Sequence, residues 1–157
     1  MPLDGRDLIW WAGPHSWENE EVPERMAKRV LSTHGVTRLL FVVDGSLGFG
    51  LHMLAAARKL GIPVLELKPD YELWNRRAIG IRDAIIASLP VDQLYAVHYL
   101  DLNDLNHREV RAAIVAANAY SIPTRTLQVS PALAMPSVTD FEAAKAAKRK
   151  RAPRKRA

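Results

Sequence analysis

Apolar residues in this chain fall into short blocks separated by longer polar or amphipathic stretches. Leu8–Ala12 (LIWWA) is an apolar run of large side chains closed by Gly13-Pro14, and it predicts a buried strand. Val22, Met26, Val30 and Leu31 recur at helical spacing through a polar stretch that stops at His34-Gly35, with Ser16 or Asn19 placed to cap its start. Thr37–Val43 is β-branched, aromatic and apolar without alternation, the pattern of a strand covered on both faces in a parallel sheet. Gly45, Gly48 and Gly50 open an Ala/Leu-rich segment, Leu51–Leu60, which predicts a helix ending at Gly61. Ile62–Leu67 predicts a third strand, Lys68–Asn75 a loop, Arg76–Leu89 a helix and Leu94–Tyr99 a fourth strand. Asn106 with Glu109 forms a capping-box pattern before Val110, Ile114 and Val115, and Ile122–Val129 supplies the last strand.

Five strands alternating with helices predict an α/β fold, a Rossmann-like doubly wound and mainly parallel five-stranded sheet with right-handed crossovers. A length of 157 residues with 48% hydrophobic content fits one such domain. Pro131 and Pro136 mark a linker, so the expected domain is 1–130 and the remainder, 131–157, a linker and basic tail. Thr139 and Glu142 are placed to cap a short Ala/Lys helix there, and the tail is expected to be disordered because it has almost nothing to bury. No run reaches the ~18 apolar residues of a membrane span, and Met1–Asp7 is polar where a secretory signal needs an apolar region. The expected location is the cytoplasm. The absence of cysteine excludes disulfides, thiolate metal sites and cysteine nucleophiles.

Charge changes this picture only at the C-terminus. Eight of the 22 Lys/Arg residues lie from Lys145 onward with no acid among them, leaving 14 bases against all 17 acids before that point. The net +5 therefore belongs to the tail. Lys148, Arg149, Lys150, Arg151, Arg154, Lys155 and Arg156 are the candidate contacts to a nucleic-acid backbone, with a solubility or acidic-partner segment as the alternative.

Ligands of open α/β sheets bind beyond the carboxyl ends of the strands, which directs attention to Gly13–Trp17 and Asp44–Gly50. Glycines at the start of a helix let the backbone approach an anion, although such turns also serve only to turn, and this loop lacks the lysine of a Walker loop. Ser46 lies in D-G-S-L-G, whose first glycine is misplaced for a hydrolase nucleophile elbow. His52, His98 and His107 lack metal-ligand spacing, so no metal is expected.

These segments, taken in order, resemble the YspA-like branch of the SLOG superfamily, Rossmann-like domains related to the LOG and DprA proteins. The family's T-G-x-R-x-W corresponds to Ala12-Gly13-Pro14-His15-Ser16-Trp17, and its G-G-A-R-G-A-D loop to Asp44–Gly50. Gly61-Ile62-Pro63-Val64, Lys68-Pro69-Asp70-Tyr71 and Asn75–Asp83 follow the family order G-I-P-V, P-A-D-W and G-R-A-A-G-P-I-R-N. The resemblance covers about Leu8 to Val129 and implies a nucleotide or nucleotide-derived ligand. Its motifs nominate Gly13, His15, Trp17, Gly45, Ser46, Gly48, Asp70, Arg76 and Arg82 as ligand-binding residues. His15 and Leu47 stand where the family has arginines, Gly50 where it has aspartate, and the acidic Tyr99–Asp104 where relatives carry a glycine-rich phosphate turn.

Arg76 and Arg82 could hold an anion or pair with Asp70 or Asp83. In the anion reading, replacing either weakens binding with little loss of stability. His15 could act as a base or stack on a ligand, or simply be solvated, and Trp17, Tyr71 and Trp74 could wall a base or close the sheet edge. Three functions follow: a nucleotide-ligand sensor or carrier without catalysis, a nucleic-acid-associated protein acting through its tail, and a degenerate N-glycosidic or nucleotide hydrolase.

Overall fold

The computed structural model describes residues 5–45 and 47–137. Strands β1 (Asp7–Ala12), β2 (Leu39–Val43), β3 (Val64–Glu66), β4 (Gln93–His98) and β5 (Thr124–Gln128) form one sheet in the order β3-β2-β1-β4-β5. Every pairing is parallel, so the expected α/β fold is observed with no antiparallel strand. Helices α1 (Glu21–His34), α2 (Gly48–Leu60), α3 (Tyr71–Trp74), α4 (Ala78–Ala87), α5 (Arg108–Ala119) and α6 (Pro131–Ala134) complete the chain. None of these helices is long and apolar enough to cross a membrane.

The strand patterns explain the layering. Successive side chains of a strand point to opposite faces, so Ile9 and Trp11 join the core under α1 and α2, while Leu8 and Trp10 join that with Ile86 and Ala113 on the α4–α5 side. All five residues of β2 are buried, as an unbroken apolar run requires. At the edge, β5 is only half covered.

Local departures from the sequence pattern have local causes. Lys68–Asn75 is not wholly loop, because Asp70 accepts a hydrogen bond from Leu73 N (3.0 Å) and caps α3. The Asn106–Glu109 capping box does not form. Asp104 takes that role by accepting from Asn106 N (2.9 Å), which frees Glu109 for a contact described below. Asn19 caps α1, accepting from Glu21 N (2.8 Å) and Val22 N (2.9 Å).

Residues 131–137 are packed against the sheet domain. Ala134 is buried, its carbonyl accepts from Glu18 N (3.0 Å) and Asn19 N (3.1 Å), and Ser137 N donates to Glu18 Oε1 at 3.0 Å. Ser46 and the tail residues Lys148, Arg149, Lys150, Arg151, Arg154, Lys155 and Arg156 lie outside the described residues, as does the Thr139–Glu142 helix.

Candidate functional site

Strand order reverses between β1 and β4, and the loops leaving the carboxyl ends of β1 and β2 lie together beside that crevice. They are joined by backbone. Pro14 O accepts from Trp17 N (3.3 Å) and from Phe49 N (3.1 Å), so one of the first free N–H groups of α2 is already taken by the chain itself.

The glycines serve this contact. Gly48 has φ +57°, and a Cβ there would stand 2.4 Å from Pro14 O and 2.3 Å from His15 O. A Cβ on Gly13 would strike the Phe49 ring, and one on Gly45 would strike Leu54 and Glu66. The loop glycines thus let two strands' exits and a helix start approach one another.

Beside these loops lies a cluster of ionisable groups. Asp44, directly after β2, accepts from Arg82 Nη1 at 2.6 Å, and Arg82 Nε donates to Asp83 Oδ1 at 2.8 Å. His15 Nε2 stands 3.6 Å from Asp44 Oδ2, and its backbone N–H donates to Glu109 Oε1 at 2.7 Å. The Asp44 carboxylate holds the His15 imidazole above its ordinary pKa against the opposing effect of burial. These side chains surround a cavity of about 20 Å³, enough for one water-sized group.

Asp83 is fully buried, and its Oδ2 has no hydrogen-bond partner among the described residues. Burial pushes its pKa from 3.8 to about 6, with Arg82 opposing the shift. Between those values the folded protein keeps a proton that the unfolded chain has released, so stability falls as pH rises through this window. His15, also raised, acts with the same sign from its unfolded value upward. Urea denaturation should show stability falling by about 1 kcal/mol from about pH 5 to about pH 7 from Asp83 alone. Asp83→Asn should remove that component, and an unchanged slope in the variant would refute the assignment.

The nominated residues therefore divide. Gly13, His15 and Arg82 line the cavity, and Gly45 and Gly48 shape the loop beside it. Trp17 is a core residue, 3% exposed, packed edge-on against Phe49 with ring centroids 5.2 Å apart. Asp70 is an exposed helix cap, and Arg76 is exposed on the turn after α3 and does not line the cavity. Tyr71 and Trp74 are exposed on α3, apart from Trp17, so the three do not make one wall. His107 is buried, accepts from Tyr99 N (3.0 Å) and Leu100 N (3.2 Å) at the end of β4, and has its pKa lowered by burial.

Of the three acids at the cavity, Asp44 lay in a loop and Asp83 in a motif that the sequence singled out, whereas Glu109 was read only as half of a capping box. Asp44 carried a positional signal, since it directly follows an apolar parallel strand and must sit at the carboxyl edge. Compared with known proteins, the chain matches no family model, and a search of the curated proteins returns no match.

Proposed function

We propose that this chain is a SLOG-like binding domain for a nucleoside-type ligand, held by hydroxyl or amino donors rather than by phosphate. The observation that carries this reading is Asp83, a buried carboxyl with an unmet oxygen at the sheet's switch point, where the water-sized cavity admits a single donor group of a ligand whose body lies outside it over the strand exits. An unmet buried acceptor favours a ligand donor, because leaving it unpaired costs about 1–3 kcal/mol. Two further features support the polarity. Arg82 is engaged by two carboxylates, and three acids, Asp44, Asp83 and Glu109, surround it and His15. A phosphate here meets repulsion, whereas a sugar hydroxyl meets acceptors. The nucleoside class itself is what the family resemblance contributes.

Calorimetry with adenosine, guanosine and their mono- and diphosphates tests the reading. Nucleoside binding should not tighten when phosphates are added, and Asp83→Asn should weaken it by about tenfold or more through the lost charged hydrogen bond. Diphosphates that bind more than about tenfold tighter than nucleosides would restore a phosphate site and overturn the proposal.

A further inference from the structure

A larger concavity lies elsewhere, on the sheet face under α1. The crossovers place α1 and α2 over β1–β3 on this face and α4 and α5 on the other, so among the described residues the part of the α1 face at Tyr95 and Arg125 borders a groove, while Val97 farther along β4 is buried. The groove between α1 and β5 has a volume of about 580 Å³, within the range of small-molecule sites.

Sheet register builds its floor. Trp11 on β1 is paired with Tyr95 on β4, and Tyr95 with Arg125 on β5, so the three side chains form one lateral row across adjacent strands. The Trp11 and Tyr95 rings stack with centroids 4.8 Å apart. Val30 on α1 and Leu127 on β5 extend the apolar surface. Trp11 is only 2% exposed, and its buried Nε1–H has no acceptor among the described residues.

The rim is cationic. Arg29 from α1 and Arg125 from β5 stand on opposite banks, both exposed and neither in an ion pair among the described residues. His34 at the same rim is taken by Asp7 at 2.8 Å. Two free guanidiniums above an aromatic floor suit a molecule with an apolar, ring-like body and an anionic head.

We propose that this groove is a second binding site, sharing only Trp11 with the lining of the crevice, for a small aromatic carboxylate. The ring packs on Tyr95 and the aliphatic wall while the carboxylate bridges Arg29 and Arg125.

The test is titration of the full chain with 1-naphthoate, followed by calorimetry and by the Trp11 indole N–H resonance. Saturable binding to one site is expected, with the Trp11 resonance shifting in step. The uncharged 1-naphthamide should bind about tenfold more weakly or worse, and the double variant Arg29→Gln, Arg125→Gln should lose a similar factor, as expected for charge-assisted contacts. Both arginines are exposed, so the variant's thermal melt should match the wild type. Three outcomes overturn the proposal: no saturation at millimolar naphthoate, equal affinity for naphthamide, or affinity retained in the double variant. Binding that arises only after deletion of residues 138–157 also overturns it, since the chain itself would then compete for the groove.

Discussion

Arg82→Ala is expected to destabilise the domain by about 3–5 kcal/mol, the range for removing one partner of a buried ion pair. Arg82 is 7% exposed and bridges Asp44 and the fully buried Asp83. Its removal deprives the buried Asp83 carboxyl of its guanidinium partner, so the cost should be smaller near pH 5, where Asp83 is mostly protonated, than at pH 7. Adding Asp83→Asn to Arg82→Ala should recover part of the loss, because an amide is cheaper to bury than a charge. Arg76→Ala supplies the contrast, since an exposed side chain away from any such network should change stability by no more than about 0.5 kcal/mol. From the sequence, both arginines could be anion contacts removable with little loss of stability or ion-pair partners of Asp70 or Asp83. For Arg82 the structure gives the ion pair, to Asp83 and also to Asp44, and urea denaturation showing a loss below about 1 kcal/mol would overturn its structural role.

What could be read from the sequence follows from the range of the interactions involved. The strands were readable because LIWWA and LLFVV are unbroken apolar runs, and burial on both faces of a parallel sheet demands that pattern whatever the neighbours are. The third strand is shorter than its apolar run, Val64–Glu66 rather than Ile62–Leu67; Pro63 has no N–H to give and joins the pairing only through its carbonyl, which accepts from Phe41 N at 2.9 Å. The α3 cap was a local signal, Asp70 three residues before Leu73, that the polar composition of the segment hid.

The site was less legible because its bonds span the chain. Glu109 forms a capping-box pattern with Asn106, yet its carboxylate goes to His15 N, 94 residues away. Arg82 and Asp83 are adjacent, a spacing that does not normally place helical side chains face to face. Their 2.8 Å contact is set by the shared burial and by Asp44 on the far side of the guanidinium. The glycines announced a close approach without saying to what. A ligand phosphate and a neighbouring carbonyl impose the same demand on Cβ, and only the fold brings Pro14 and Phe49 to that place.

Gly50→Ala is expected to be the most damaging of the glycine-to-alanine changes in this domain. A Cβ at Gly50 would lie 1.7 Å from the Asp44 carbonyl oxygen, and that atom is backbone at the exit of a fully buried strand, so no rotamer change relieves the clash. Either the first turn of α2 or the end of β2 must move, and both carry the site. Overpacking of this kind typically costs about 1–3 kcal/mol where side chains can yield, and more where backbone must. A loss above about 3 kcal/mol, or failure to fold, is therefore expected. Gly80→Ala is the matched control, because Gly80 lies inside α4 with nothing within 4 Å of its would-be Cβ. That variant should gain about 0.5–1 kcal/mol from helix propensity alone. The pair also separates two roles for the loop. If Gly50 were needed only to admit a ligand phosphate, Gly50→Ala would fold normally and lose binding. If it is needed for the approach of β2 to α2, the ligand-free protein already melts well below the wild type. Thermal melts of the ligand-free variants decide between these outcomes, and a normal melt for Gly50→Ala would overturn the packing role assigned to the loop.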